Sequence, residues 1–471
     1  MEGTELHTFS YISVLPQDVL LEILFLTRDL YSEHHKTQFC HDATAVSFSW
    51  REMLHSTPLW WNELYIPFLT NLDLTRRHLT LGKQTALRLE ISEPNIFVDA
   101  DEMTDLIDII MPHLKRCWYI SFEGEVDDET AFHLIITESL LSNPDLPLLR
   151  HLTLNVTGVT NDEVDIPRLF PPWKSLATLR LGGSIVKHLK PPMPQITRLH
   201  LSSGPHGEQI PFSEFGEILI SCPSLTLLAL YEDVLSHHHK VADQHITHIN
   251  LESIFILGNM LNISEFLIYV DAPNLRELVM APIVESDFRK LADRPLSAFQ
   301  NKFQSLTKLT LGPARSSALI QWHMMADYFP NVETLIFANV YPIQFRKLFM
   351  RRPGLFPKMK HLGVEDVNEA FVPIVINFAR QRTEQCEGVA VRLERLSIDS
   401  GSYENMRDVV EENEQRLGKL GLEVVCADLW EEQRLQAMYT KDKRLFLGET
   451  DVETESDTDT DTDTDTDTDD S

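Results

Sequence analysis

The sequence predicts an α/β repeat: a short helical module, then a long array of strand-plus-helix units, then a polar tail. Three observations predict it. A chain of 471 residues with 43% hydrophobic content is too long for one compact core and carries enough apolar surface to fill an extended one. An apolar frame, L-x-x-L-x-L, recurs ten times, with its first positions 20 to 34 residues apart. The chain then ends in alternating Asp and Thr, which offer nothing to bury.

The module spans residues 6–66. It opens with LPQDVLLEILFL, where Pro16 can sit in a first helical turn without losing a needed hydrogen bond. Leu20, Ile23 and Leu24 follow on one side at helical spacing. A polar stretch from Thr27 to Asp42 interrupts the pattern. The segment ATAVSFSWREMLHS resumes it, with Val46, Trp50 and Leu54 at i, i+4, i+8. Pro58 stops this second helix and two tryptophans, Trp60 and Trp61, close the module. Such a small core fits either a cap over the array or a docking module with an apolar face for a partner helix.

The array spans residues 70–428. Its frames begin at Leu149, Leu176, Ile196, Leu225, Leu251, Leu275, Leu306, Val332, Met359 and Leu393. Weaker candidates precede them at Leu87-Leu89-Ile91 and Leu114-Cys117-Tyr119. The last two apolar positions of each frame alternate and read as a short strand buried on one side. Helical patterns such as FSEFGEILISCP, ALIQWHMMADYFP and QFRKLFMRRP lie between them. No unit can cover its own apolar face, so neighbours must stack. Proline stands two residues before the first anchor in six units, for example Pro223, Pro273 and Pro330, where it ends the preceding helix. The residue between the two strand anchors faces away from the core. At Phe255, Val279 and Ile336 that residue is apolar, so these three are the expected substrate contacts on a concave face. An ordinary α/β domain with several parallel strands is the competing architecture.

The tail, residues 449–471, holds 12 acids and no Lys or Arg, out of a net charge of −30. It is expected to be disordered, as a solvated acidic end or a regulated one. Thr458 and its successors carry the downstream acids that acidophilic casein-type kinases favour.

Leu15-Pro16, Asp18-Val19-Leu20, Ile23, Val46-x-x-x-Trp50-Arg51 and Ser56-Thr57-Pro58-x-x-Trp61 together resemble an F-box motif. The style is that of the large F-box families of mushroom-forming fungi. Two features depart from it: a spacing of 34 residues from Pro16 to Trp50, and Ser47-Phe48-Ser49 in place of Cys and basic residues. The repeats are similar to the degenerate leucine-rich repeats common in F-box proteins, and most units lack the Asn usual after the strand. The resemblance implies a substrate-receptor subunit of a Skp–cullin–F-box ubiquitin ligase. It implies docking on a Skp-type adaptor, and through it a cullin, by Leu15, Pro16, Leu20, Ile23, Leu24, Val46, Trp50 and Trp61. A protein substrate would be held by the solenoid. The alternative is a stand-alone repeat scaffold whose N-terminal helices only cap the array.

Other chemistry finds little support. No phosphate loop, Rossmann fingerprint, H-E-x-x-H or G-x-S-x-G occurs, so neither enzyme activity nor a cofactor is expected. Five scattered cysteines without a C-x-x-C argue against a disulfide frame or zinc site. His237, His238, His239, His245 and His248 read as a solvated loop rather than a metal site. The acidic balance disfavours nucleic acid. With no signal-like start and no apolar run of about 20 residues, no membrane is expected. An intracellular site, cytoplasmic or nuclear, follows.

Overall fold

The computed structural model describes most of the chain from Ile12 to Cys426. Residues 1–11 lie outside the described residues, as do the longer stretches 126–144, 158–172, 187–192, 237–245, 282–290, 292–298 and 313–321, and everything after Cys426. The acidic tail and four of the five clustered histidines therefore fall outside them.

Three helices open the fold: α1 (Gln17–Leu30), α2 (Glu33–Ala45) and α3 (Phe48–His55), followed by a 3₁₀ turn at Pro58–Trp61. Two expectations need correction. The polar stretch from Thr27 to Asp42 is no interruption, because α1 runs to Leu30 and α2 fills most of the rest. Its apolar contacts are only Phe39, Cys40 and Ala43, too few for a period to be visible in the sequence. The segment ATAVSFSWREMLHS is also not one helix. Ser47 breaks it by accepting the Trp50 N–H at 3.1 Å, the N-cap geometry that serine adopts readily. Val46 thus lies outside α3 and does not stack on Trp50. Pro16 stands just ahead of α1 rather than in its first turn.

Among the described residues a fourteen-stranded sheet follows, entirely parallel. Its strands are β1 (Glu63–Ile66), β2 (Leu87–Glu93), β3 (Cys117–Glu125), β4 (His151–Thr157), β5 (Thr178–Gly183), β6 (Arg198–Ser202) and β7 (Leu227–Tyr231). They continue as β8 (Ser253–Leu257), β9 (Glu277–Ala281), β10 (Lys308–Leu311), β11 (Thr334–Ala338), β12 (His361–Glu365), β13 (Arg395–Ile398) and β14 (Glu423–Cys426). Each pairs with the next in chain order. All ten frames place their last two anchors in β4–β13, and Leu87-Leu89-Ile91 falls in β2; of the other weaker candidate, Leu114 precedes β3, and the core row there runs through Ile120 and Phe122 rather than Tyr119. The strands β1 and β14 have no counterpart in the sequence reading. The anchors run in register: Leu152, Leu179, Leu199, Leu228, Ile254, Leu278, Leu309, Leu335, Leu362 and Leu396 form one row of the core. Each fully buried leucine contributes roughly 1.5–3 kcal/mol, so the row is a major part of the cohesion between units.

Two further ladders tie the units together. The Thr226 carbonyl accepts both the Glu252 and the Ser253 N–H, at 2.8 and 2.9 Å. The same two-for-one bond repeats at Ala177, Thr197, Glu252, Arg276, Thr307 and Glu333. Beside it, Asn250, Asn274 and Asn331 each donate a side-chain N–H to a carbonyl of the preceding unit at 2.7 Å. Asparagine thus stands before the strand, in the turn ahead of the first anchor, where it satisfies carbonyls the sheet leaves open.

Eight-residue and longer helices pack on the core side between strands: α4 (Leu72–Leu81), α5 (Ala100–Ile110), α6 (Phe212–Ser221), α7 (Pro342–Phe349), α8 (Phe371–Gln385) and α9 (Ser400–Leu420). Shorter helices at Ile263–Tyr269 and Trp322–Tyr328 do the same. The predicted patterns at 212–221, 322–328 and 342–349 are therefore helical. Phe345 and Phe349 meet Phe337 edge-on at 6.3 and 5.8 Å, joining α7 to β11. Among the described residues, no helix is long and apolar enough to cross a membrane.

Candidate functional site

The residues expected to dock a partner divide sharply. Leu15, Pro16, Ile23 and Val46 are exposed. Leu20, Leu24 and Trp61 are buried and hold the module together, so they are not contact residues. Trp50 is half-buried against the same cluster. The physical reason lies in α1, which carries two apolar stripes. Leu20, Leu21, Leu24 and Phe25 face the module core. Leu15, Val19, Ile23, Leu26 and Leu30 all face solvent, with Leu26 63% and Leu30 87% exposed. At 100° per residue Val19, Ile23, Leu26 and Leu30 fall within about 60° of arc, on the side away from Leu24, and Leu15 lies just ahead of the helix. The sequence reading merged the two stripes and stopped before Leu26. The i, i+4, i+8, i+11, i+15 spacing of the second was available to be found. Phe48 and Leu59 add further exposed apolar surface.

The module is fixed to the sheet by a dense joint. Buried Arg28 reaches from α1 to the Trp60 carbonyl at 3.3 Å and the Glu63 carboxylate on β1 at 3.2 Å. Its guanidinium also lies over the Phe25 and Trp60 rings at 5.0 and 5.6 Å. Thr37 of α2 accepts the Tyr65 N–H at 2.8 Å, sealing the outer edge of β1. Trp61 donates its indole N–H to the Leu54 carbonyl at 2.9 Å and stands edge-on to His78 of α4 at 5.1 Å.

His78 is fully enclosed, 5.5 Å from the His41 ring, and neither of its nitrogens has a hydrogen-bond partner of good geometry. Burial, then repulsion from His41, pushes its pKa down to about 3, although the nearby Glu63 backbone opposes the shift. Burial, then Arg77, takes His41 down to about 4. On the sheet, burial and then Arg180 take His200 down to about 3. These rings are neutral when folded and titrate near 6.5 when unfolded. The unfolded state therefore binds more protons below pH 6.5, and stability falls as the pH drops toward 3. From pH 7 to pH 5, His78 and His200 should each cost about 2 kcal/mol. Urea midpoints measured across this range should show the loss, and His78→Gln should flatten its share of the slope.

The expected substrate contacts are corrected outright. Phe255, Val279 and Ile336 do face away from the main core, but they are at most 3% exposed. Phe255 and Val279 belong to a second apolar cluster with Leu227, Ala229, Tyr231, Leu257, Ala281 and Ala338. In-register neighbours about 4.8 Å apart wall each side chain, and alternation alone says which face a residue takes, not whether that face is open.

The same face changes character over β4–β6. Those three strands contain no Asp or Glu, in a chain with 71 acids. They present half-buried His151 and Arg198 in register positions flanking Thr178, with buried Arg180 and His200 one position on. Arg150 precedes β4 and is exposed. Tyr231 organises the deep end: its hydroxyl is 3.0 Å from His200 Nδ1, and the Arg180 guanidinium lies 5.1 Å over its ring. Gly182 leaves room here for two side chains, since a Cβ would stand 2.1 Å from Asn155 Oδ1 and 2.5 Å from Ser202 Oγ and would make both move.

No site for bond chemistry emerges from these groups. Burial pushes the thiols of Cys40, Cys117 and Cys222 up to about 12, far from a reactive thiolate. His248 of the histidine-rich segment is buried, with Nε2 2.9 Å from the Cys222 carbonyl. Among the described residues, no group of His, Cys, Asp and Glu could hold a metal ion. A groove of about 340 Å³ lined by Ser224, Asn250, Asn274 and Ser305 runs along the asparagine ladder. The amides of Asn250 and Asn274 there are committed to backbone carbonyls. No family model matches the chain, and no curated protein is significantly similar to it.

Proposed function

We propose that the chain is a substrate-receptor subunit of a Skp–cullin–F-box ubiquitin ligase, an F-box module joined to a leucine-rich-repeat solenoid. The observation that carries the reading is the second apolar stripe of α1. A helix that merely capped the sheet would need only the stripe it buries, through Leu20 and Leu24. The row Val19, Ile23, Leu26 and Leu30, with Leu15 just ahead of the helix, is instead 38–87% exposed. Contiguous apolar surface of this kind marks an interaction site, and its helical spacing suits a partner helix laid against it. The order of sequence features, F-box-like motif and then repeats, supports the same assignment.

In this role the chain performs no bond chemistry. Its contribution is to hold a protein substrate near a recruited conjugating enzyme, raising local concentration and fixing orientation. The stapling of α1 to β1 through Arg28 and Glu63 suits that task, since a loose joint would dissipate the orientation. The stand-alone scaffold is the second reading, favoured by the Thr37 bond that seals β1.

Ile23→Asp in the full chain separates the two. Desolvating a lone carboxylate in the interface costs on the order of several kcal/mol, so capture by a Skp-type adaptor should be lost while the melting curve is unchanged. Leu20→Asp, by contrast, should unfold the module. Undiminished capture by a folded Ile23→Asp chain would refute adaptor docking through this stripe.

A further inference from the structure

Along the second half of the sheet, cations are matched by carboxylates of the neighbouring unit. Lys308 meets Glu277 at 3.0 Å, Lys360 meets Glu333 at 3.3 Å and Arg395 meets Glu423 at 2.9 Å. The helix α7 and the turn after it break this rule. Between Glu333 and Glu365 the chain has six Lys or Arg and no acid, in a protein with 71 acids. Arg346, Lys347, Arg351 and Arg352 are all exposed, and among the described residues none of their side chains has a hydrogen bond or an ion pair.

Helical geometry gathers these groups. Phe345 and Phe349 turn inward, so Arg346 and Lys347 take the outer side of α7, three and four residues on from exposed Ile343. The turn then carries Arg351 and Arg352 on from the helix end. The helices before and after α7 in the array, Trp322–Tyr328 and α8, bring one acid each, Asp327 and Glu384, and α8 also adds exposed Arg380. The exposed charge of this part of the helical layer is therefore positive, in a chain that is acidic overall.

The segment of opposite charge is rooted close by. Residues 449–471 hold 12 acids and no Lys or Arg. Strand β14 ends at Cys426, two strands beyond β12 and three beyond β11, the pair that α7 connects. At about 4.8 Å per strand that is roughly 10–15 Å along the sheet. The 22 residues from Ala427 to Gly448 can span up to about 75 Å when extended, ample to pass around α8 and α9. A tethered segment also meets its site at an effective concentration near millimolar, so a weak electrostatic contact becomes well populated.

We propose that the outer side of α7 and the turn through Arg352 form the docking site of the chain's own acidic tail, residues 449–471, held in cis. Any other anionic segment that sought these bases would have to displace the tail. This assignment is independent of adaptor docking by the N-terminal helices.

Carbodiimide coupling of the full chain tests it, because the reagent joins a carboxylate to an ammonium only in direct contact. The amine nitrogen attacks the activated carboxyl, an amide forms and a urea leaves. In the monomer fraction, mass spectrometry should find tail carboxylates joined to Lys347. The yield should fall ~5-fold or more when salt is raised from about 0.1 to about 0.5 M. It should fall as far when Arg346→Gln, Arg351→Gln and Arg352→Gln are combined, whereas Lys115→Gln, exposed near the other end of the sheet, should leave it unchanged. Melting curves identify folded variants, and Arg351→Gln with Arg352→Gln, both in the turn, covers failure of the triple change. A tail joined only to Lys441 and Lys443, its neighbours in the chain, would overturn the proposal, as would a Lys347 yield indifferent to the arginine changes. Coupling to Lys347 confined to dimers would place the tail on a second copy and overturn docking in cis.

Discussion

Replacing Arg382 with methionine is expected to destabilise the fold by about 4 kcal/mol, more than most single changes in a chain of this size. Arg382 sits on α8, 1% exposed, and spends its guanidinium on backbone carbonyls. Nε donates to Val391 at 2.7 Å, Nη1 to Pro353 and Leu355 at 2.8 and 2.9 Å, and Nη2 to Phe356 and Met359 at 2.7 and 3.2 Å. One planar fork thus fixes the turn that feeds β12, including Phe356, whose φ of 49° is a strained value for a side chain of that bulk. Methionine keeps much of the volume and removes every donor. The Val391, Pro353, Leu355 and Met359 carbonyls would then lose this donor, at roughly 1–3 kcal/mol each before relaxation, while Phe356 keeps the Met359 N–H at 3.0 Å. Lysine should recover only part of the loss, because an ammonium cannot match a fork of carbonyls. Equilibrium urea unfolding with near-normal expression of both variants is the measurement. A loss under about 1 kcal/mol for Arg382→Met would mean that water replaces the guanidinium there.

The second large effect is expected at Phe255. Phe255→Ala should cost roughly 3–5 kcal/mol through the cavity it leaves beside Ala229 and Val279. Thermal melts will show it directly. A residue engaged with substrate would behave in the opposite way, weakening capture while leaving the melting temperature in place.

Phe255 also marks where the sequence stopped being informative. The frame L-x-x-L-x-L located β4–β13 because alternation and in-register stacking leave a periodic trace: Leu228, Ile254 and Leu278 must be apolar if neighbours are to bury them. The face opposite them carries no such trace. Arg180 and Phe255 occupy equivalent positions, and both are buried, one beside Tyr231 and the other among aliphatic neighbours. The N-terminal module was harder still. Helix α2 has a nearly polar sequence, so its place was invisible to a periodicity search, and its position depends on contacts such as Cys40 with Trp60 that are 20 residues apart. The exposed stripe of α1 was partly legible. Leu15, Ile23 and Val46 are exposed as a contact face requires, but Leu20, Leu24 and Trp61 show that a motif marks which residues recur and not which of them point outward.

The bond between Thr37 and the Tyr65 N–H gives the sheet a direction. Among the described residues every strand but the outermost two is hydrogen-bonded on both sides; the helices α2 and α4 pack on β1, and β14 packs on α9 but has exposed or half-buried side chains throughout. Among the described edges, fraying is therefore cheaper at β14 than at β1. Among the described units, loss would start more readily at β14 and move inward, while the end bearing the N-terminal helices would be the last to let go. A chain hauled into a degradation machine from its acidic terminus would yield one unit at a time, whereas the same pull from the N-terminus would meet Arg28, Trp61 and the sealed edge all at once.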